Sequence, residues 1–151
     1  VHGPLYPCDA KAARVPMLAE SMPKSAADGK VYDITLRKGV MLHSGRELNA
    51  DDVVASLKRW MDVSPRGKSV AAQVADLSAK GPLAVEISLK NAYAPLLSQL
   101  AMASGMAAIM AKETLAQPLR EFVGTGPYRF KERRPDQYVL LTRFDGYPSR
   151  K

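Results

Sequence analysis

The sequence predicts an α+β fold, a mixed sheet with helices packed against it, and three observations carry that prediction. Residues 31–37 and 83–90 alternate apolar and polar side chains with a period of two, the pattern of half-buried strands. Between them, Val53, Val54, Leu57, Trp60 and Met61 recur at helical spacing. The strands and helices follow one another without a regular strand–helix alternation, so a parallel α/β sheet is disfavoured. Eleven prolines and ten glycines are scattered over the 151 residues, which makes the elements short and the turns many.

Each element has a local cause. The first 25 residues are cut by Pro4, Pro7, Pro16 and Pro23 and read as extended or loop-like chain, with Met17, Leu18 and Ala19 anchored in a core. After the turn signal Asp28-Gly29, Tyr32, Ile34 and Leu36 fall on one face of a strand and Asp33, Thr35 and Arg37 on the other. A short strand over residues 40–42 sits between turns at Gly39 and at His43-Ser44-Gly45. Asn49 then stands where a side chain can cap the free N–H groups of a helix, and Asp51 and Asp52 favour its positive end. Asp52, Ser56, Lys58 and Arg59 are expected to face water, and Ser64-Pro65-Arg66-Gly67 ends the helix. Residues 70–77 read as a short helix running into a strand, and residues 74–79 are expected to pair with the strand at 83–90 as a hairpin.

Further along, Leu96, Leu97, Leu100 and Ala101 suggest a helix opened by Pro95. Residues 107–110 read as a buried strand and residues 112–116 as a short helix. The chain closes on a β-hairpin of residues 128–133 and 138–144 around Arg134-Pro135-Asp136. Strand alternation puts Tyr128 and Phe130 on its inward face and Arg129, Lys131 and Arg133 on its outward face.

Length and charge narrow the classes. The chain suits one ordinary core. Twenty-two Lys and Arg against fifteen Asp and Glu give +7, spread along the chain and not gathered in a basic tail. The longest nearly apolar stretch, residues 100–111, is broken by Ser104 and Gly105 and is too short to span a bilayer as a helix. Val1-His2-Gly3-Pro4 has neither a charged nor an apolar leader segment, so a secretory signal is expected to be absent from this sequence. Cys8 is the single cysteine, which excludes an internal disulfide, a thiolate-rich zinc site and a two-thiol redox motif. As a lipid attachment site it is disfavoured by Pro7, where a small residue is wanted.

Catalytic equipment is sparse. A nucleophilic enzyme needs an oriented imidazole beside a Ser or Cys, and only His2 and His43 are available. His43, between two glycines, reads as an exposed or turn-stabilising ring. Two histidines and one cysteine do not close a zinc site, so neither metal nor cofactor is expected, and the chain reads as a non-enzyme. Asp51-Asp52 is more simply a cap than an acid/base pair. Gly124-Thr125-Gly126-Pro127 lacks the Gly-Lys-Ser/Thr of a phosphate loop and leads into a strand. The basic hairpin would serve nucleic acid only if cations and aromatics shared an exposed face, which the alternation argues against. Met102, Met106 and Met110 recur at spacing four, but Gly105 interrupts the helix such a stripe needs, and core packing is the simpler reading.

Longer stretches carry more. Pro16-Met17-Leu18-Ala19-Glu20-Ser21 precedes Tyr32-Asp33-Ile34-Thr35-Leu36-Arg37-Lys38-Gly39-Val40, then His43-Ser44-Gly45, then Leu48-Asn49-Ala50-Asp51-Asp52-Val53-Val54-Ala55-Ser56-Leu57. In this order and spacing they resemble the N-terminal lobe of the family 5 extracellular solute-binding proteins, the peptide, dipeptide and nickel-type receptors of ABC importers. Val123-Gly124-Thr125-Gly126-Pro127-Tyr128-Arg129-Phe130 resembles the family's next recurring segment, which a strand pair also follows. Leu42 stands where an aromatic is usual, Ser44 where Asp is usual and Asn49 where Thr is usual, the last keeping its capping ability. Asp145-Gly146-Tyr147-Pro148 departs from the family's Asn, two residues, then Tyr-Trp. Family members run to roughly three times this length, with more domains than this chain holds.

The resemblance implies the fold of a type II (cluster C) periplasmic binding protein. Residues 1–123 would be its peripheral domain and residues 124–151 a β-hairpin beginning the adjoining main lobe. It implies capture of a small peptide, or a related solute such as a chelated metal, for the membrane subunits of an ABC importer, in the periplasm, by closure of two lobes. In similar proteins the loop after the long helix and the segment after the Leu-Ala-rich helix approach the cleft, and these are Arg66-Gly67-Lys68-Ser69 and Met102-Ala103-Ser104-Gly105. Arg66, Lys68, Ser69, Ser104 and Gly105 are therefore the candidate ligand-binding residues. Either cation would meet a carboxylate or chelated anion, Ser104 would offer a hydroxyl and Gly105 close backbone approach. With no opposing lobe, weak or absent binding in isolation is expected, and uncovered surface implies self-association into a homo-oligomer. A small basic nucleic-acid-binding domain is the competing reading.

Overall fold

A computed structural model describes residues 1–26, 28–116 and 118–147. The alternating stretches form a four-stranded sheet from β1 (Lys24–Ala26), β2 (Val31–Thr35), β3 (Val74–Gly81) and β4 (Ala84–Leu89), in the order β1-β2-β4-β3. Every pairing in it is antiparallel, which resolves the expected mixed sheet. Register follows the apolar pattern: Ile34 lies opposite Val85, and both Tyr32 and Leu77 lie opposite Ile87. Ile34, Leu77, Val85, Ile87 and Leu89 are all buried. β1 falls in a stretch read as loop-like; its three residues are all exposed, so apolar periodicity could not have found it.

Helix α1 (Ala50–Val63) covers this sheet with Val53, Leu57 and Trp60. Its start has a full capping box: the Asn49 side chain accepts from the Asp52 amide at 3.1 Å, and the Asp52 carboxylate accepts from the Asn49 amide at 3.0 Å. The second face of α1 overturns an expectation. Asp52 and Ser56, expected to face water, are fully buried, because residues 109–112 run across that face. Ser56 Oγ donates to the Met110 carbonyl at 3.1 Å and accepts from the Met110 amide at 2.9 Å, acting as a strand partner would. Asp52 accepts from the Lys112 amide at 3.0 Å and from both terminal nitrogens of Arg46 at 2.8 Å. Arg46 also reaches Glu113, so one guanidinium joins the 43–47 turn, α1 and the 3-10 turn at Lys112–Thr114.

Other expectations shift in detail. The strands expected at 40–42 and 107–110 are single bridges, Met41 with Glu47 and Ile109 with Gly3. The helix expected at 112–116 is that 3-10 turn. Helix α3 (Leu96–Ala101) follows Pro95 as expected, with Leu96 and Leu100 buried. The segment expected as a loop, Arg66-Gly67-Lys68-Ser69, is helical. It forms most of α2 (Pro65–Ala71), whose first residue is a proline suited to that position.

The hairpin is present as β5 (Tyr128–Arg134) and β6 (Tyr138–Arg143). Its faces are not as alternation predicted. A register irregularity between Phe130 and Glu132 interrupts the period of two, and the hairpin projects from the core, leaving Tyr128 51% and Val139 56% exposed. Phe130 is half-buried against Phe122, with ring centres 4.8 Å apart, and Phe144, just past β6, is the buried anchor.

Candidate functional site

The site is built around the end of α1. A Cβ on Gly67 would lie 2.0 Å from the Trp60 carbonyl oxygen, so only glycine lets α2 fold back this closely on α1. Arg66 Nη1 then donates to Gln99 Oε1 of α3 at 2.9 Å. Trp60 Nε1 donates to the Gly105 carbonyl at 2.7 Å. Gly105 has a φ of +63°, which favours glycine there and turns the chain back after α3. The 102–106 turn is thereby tied to helices that are themselves fixed by the core.

This turn forms one wall of a groove of about 420 Å³. Met102, Ser104 and Met106 line it from one side, and Pro4, Pro7 and Cys8 of the N-terminal segment from the other. Cys8 Sγ stands 3.9 Å from the Ala101 carbonyl, linking the two walls. The surface is mostly apolar, with a thiol and a hydroxyl as its polar handles. Methionine walls adapt to ligands of different shape.

The candidate residues divide. Ser104 lines the groove, and Gly105 shapes its wall from behind. Arg66 sits beneath the turn and is spent on Gln99, with its Nε buried and unpartnered. Lys68 and Ser69 are exposed on α2 and do not line the groove; the Ser69 hydroxyl donates to the Pro65 carbonyl within its own helix at 3.2 Å. Residues missed by sequence reasoning are Pro4, Pro7, Cys8 and Met106, whereas Met102 lies in the segment that the resemblance brings to the cleft. The methionine spacing points toward Met106 alone, and no local pattern marks the other three. Met110 is core as expected, but Met102 is 42% exposed at the rim.

A second structured region is the crossing from the core into β5. The N-terminal residues run against Gly124 and Gly126: the Gly126 amide donates to the Val1 carbonyl at 2.8 Å, and a Cβ on Gly124 would lie 2.4 Å from His2 Nδ1. His43 is 8% exposed, a buried ring and one of the turn-stabilising kind. Burial pushes its pKa below the ordinary imidazole range, while a hydrogen bond to Gly126 opposes that. Burial likewise lowers His2, to about 4. Among the described residues no three His, Cys, Asp or Glu side chains gather as a metal site would require.

Comparison with known proteins gives a consistent result. The model of the bacterial extracellular solute-binding proteins, family 5 Middle, matches residues 13–151. The chain is 36% identical to a di/tripeptide-binding protein of Pseudomonas aeruginosa, over 85% of this chain and 29% of the relative. It is 29% identical to the nickel-binding periplasmic protein of Escherichia coli, over 97% of this chain and 29% of the relative. Among solved structures, NikA of Brucella suis with Fe(III)-EDTA superposes with a TM-score of 0.85 at 27% identity, covering 100% of this chain and 31% of that one. A Pseudoalteromonas dipeptide-binding protein with Met-Leu also gives 0.85, at 29% identity, covering 100% of this chain and 35% of that one. The chain thus spans about three tenths of the length of these curated relatives. Nothing in these likenesses supports the nucleic-acid reading.

Proposed function

The chain belongs to the family 5 bacterial extracellular solute-binding proteins, and from that premise we propose that it is the part of a periplasmic receptor that forms one wall of a peptide-binding cleft and serves an ABC importer. The observation that carries this reading is the groove between the N-terminal segment and the 102–106 turn. It lies at the segment for which the family resemblance implied an approach to the cleft. Its apolar walls suit the side chains of a short peptide, and they present no charged side chain to the carboxylates of a chelate. A peptide is therefore favoured over a metal complex.

In this reading residues 1–123 are a peripheral domain and the β5–β6 hairpin begins the adjoining lobe. Ser104 donates to or accepts from the peptide backbone, while Gly105 shapes the wall from behind and Arg66 supports the turn from beneath. Lys68 and Ser69 take no direct part. Ligand is held when an opposing lobe closes over the groove, so affinity depends on a closed state that this stretch alone does not form.

The test is calorimetric titration of two- to five-residue apolar peptides into the 151-residue chain and into the longer receptor that contains it. Binding by the longer protein, weakened at least tenfold by Ser104→Trp, and none by the chain alone is expected. Unchanged affinity in the Ser104→Trp receptor would move the site elsewhere.

A further inference from the structure

One imidazole bonds the crossing into β5 at two points. His43 Nε2 lies 2.8 Å from the Gly126 carbonyl oxygen, and the Gly124 amide donates to His43 Nδ1 at 3.3 Å. The His43 amide adds a third bond, to the Gly124 carbonyl at 2.9 Å. A carbonyl only accepts and an amide N–H only donates, so the two ring contacts demand one form of the side chain. The proton sits on Nε2 and Nδ1 is bare. We propose that His43 is a proton-operated latch on residues 124–126, closed while the ring is neutral and released from the Gly124 amide when Nδ1 takes up a proton.

The surroundings give the latch two states. A proton on Nδ1 turns that atom from acceptor to donor, and it then faces the Gly124 N–H, another donor. The Phe122 backbone also offers the ring a hydrogen bond that favours its charged form, so the protonated ring has a partner to turn to. The Phe144 ring packs edge-on against the imidazole, with centres 4.9 Å apart. The charged groups around it are mostly cationic. The N-terminal segment brings the Val1 amine and His2, and α1 brings Arg59, which acts on His2. From β5 comes Arg129, whose guanidinium lies 4.8 Å from the Phe144 ring centre. Arg120 and Glu121 line the same shallow surface pocket as His43, and Glu121 is the acidic group of the set.

What the latch controls follows from connectivity. Residues 124–126 lead through Pro127 into β5, and the Phe144 amide donates to the Pro127 carbonyl at 2.8 Å, closing β6 onto the same point. Release of Gly124 loosens the attachment of the hairpin while the α1 core, held by its own contacts, stays folded. The latch does not depend on which solute the groove accepts.

The test uses nuclear magnetic resonance on the 151-residue chain. Ring nitrogen shifts give the His43 tautomer at pH 7.5, and amide exchange, normalised for its intrinsic pH dependence, follows Gly124 and Gly126 from pH 7.5 to pH 5. Protection at Gly124 is expected to fall about tenfold or more, the effect of one pH unit of proton linkage, while Leu57 in α1 changes less. The fall should shrink markedly in His43→Gln, to the share that His2 contributes, and keep most of its size in His2→Gln. Flat protection at Gly124 in the parent chain, or a fall of parental size in His43→Gln, would overturn the proposal. Should His43→Gln not fold, the parent chain decides alone: the Gly124 amide shift must titrate with the midpoint of the His43 ring, and separate midpoints, or a proton on Nδ1 at pH 7.5, reject the latch.

Discussion

Trp60 Nε1 donates to the Gly105 carbonyl at 2.7 Å, and this bond connects the last turn of α1 to the wall of the groove across 45 residues of sequence. The buried indole is at once core, through its rings, and positioning device, through its N–H.

Removing that N–H while keeping an aromatic ring separates the two roles. Trp60→Phe is expected to lose about 1–2 kcal/mol, the sum of one hydrogen bond and slightly poorer packing. Urea denaturation measures the loss. Amide exchange over residues 102–106 should rise more than exchange in β4, and an equal rise in both would show that Trp60 only packs.

Gly67 is a sharper case. A Cβ there meets the Trp60 carbonyl at 2.0 Å, a backbone atom that moves only if α2 leaves α1. Gly67→Ala should therefore cost about 3 kcal/mol or more, although alanine is the better helix former. A thermal midpoint at or above the parent's would contradict the packing described.

Asp52 supplies a pH-dependent term at the acid end. Burial pushes its carboxyl up, but bonds from Arg46 and from the Lys112 and Asn49 amides outweigh it and hold the pKa below the ordinary 3.8. A depressed carboxyl contributes stability that is fully present above the unfolded-state value and lost as pH falls through the folded one. Asp52→Ala removes the capping box and leaves the half-buried Arg46 with Glu113 and the Glu47 carbonyl, for an expected loss of about 2–4 kcal/mol at pH 7. The variant should also flatten the stability curve below pH 4, measured by denaturant titration.

The histidines act at higher pH with the same proton balance. His2 and His43 both have folded pKa values below the ordinary 6.5, so the unfolded chain binds protons first. Stability is then complete above pH 6.5 and falls as pH drops from 6.5 toward the folded values, which for His2 means toward about 4. Denaturant midpoints at pH 7.5, 6 and 5 should decline in that order. The decline should be smaller in His2→Gln, and a midpoint that rises on acidification would refute the burial of both rings.

Much of this was legible in local sequence. The Asn49–Asp52 capping pair and the spacing of Val53, Leu57 and Trp60 defined α1 because a helix answers to neighbours one turn away. The alternation at Leu83, Val85, Ile87 and Leu89 defined β4 because one buried face imposes a period of two. The candidate residues fared unevenly. Ser104 lines the groove and Gly105 lies behind its wall, whereas Lys68 and Ser69 are exposed on α2, where the sequence predicts a loop.

The sequence by itself determined the α+β class, the long helix and its cap, the central strands and the closing hairpin, since each depends on contacts a few residues apart and on the sign of a periodic pattern. Tertiary structure alone decided that Asp52 and Ser56 are buried, that Gly67 packs against the Trp60 carbonyl, and that Cys8 shares a groove with Met102. In each case the deciding partner lies outside the local pattern: Met110 is 54 residues from Ser56, and Ala101 is 93 from Cys8. A polar side chain carries no mark of such a partner in its own neighbourhood, because its burial costs little only once the packed chain brings a matching donor or acceptor to it.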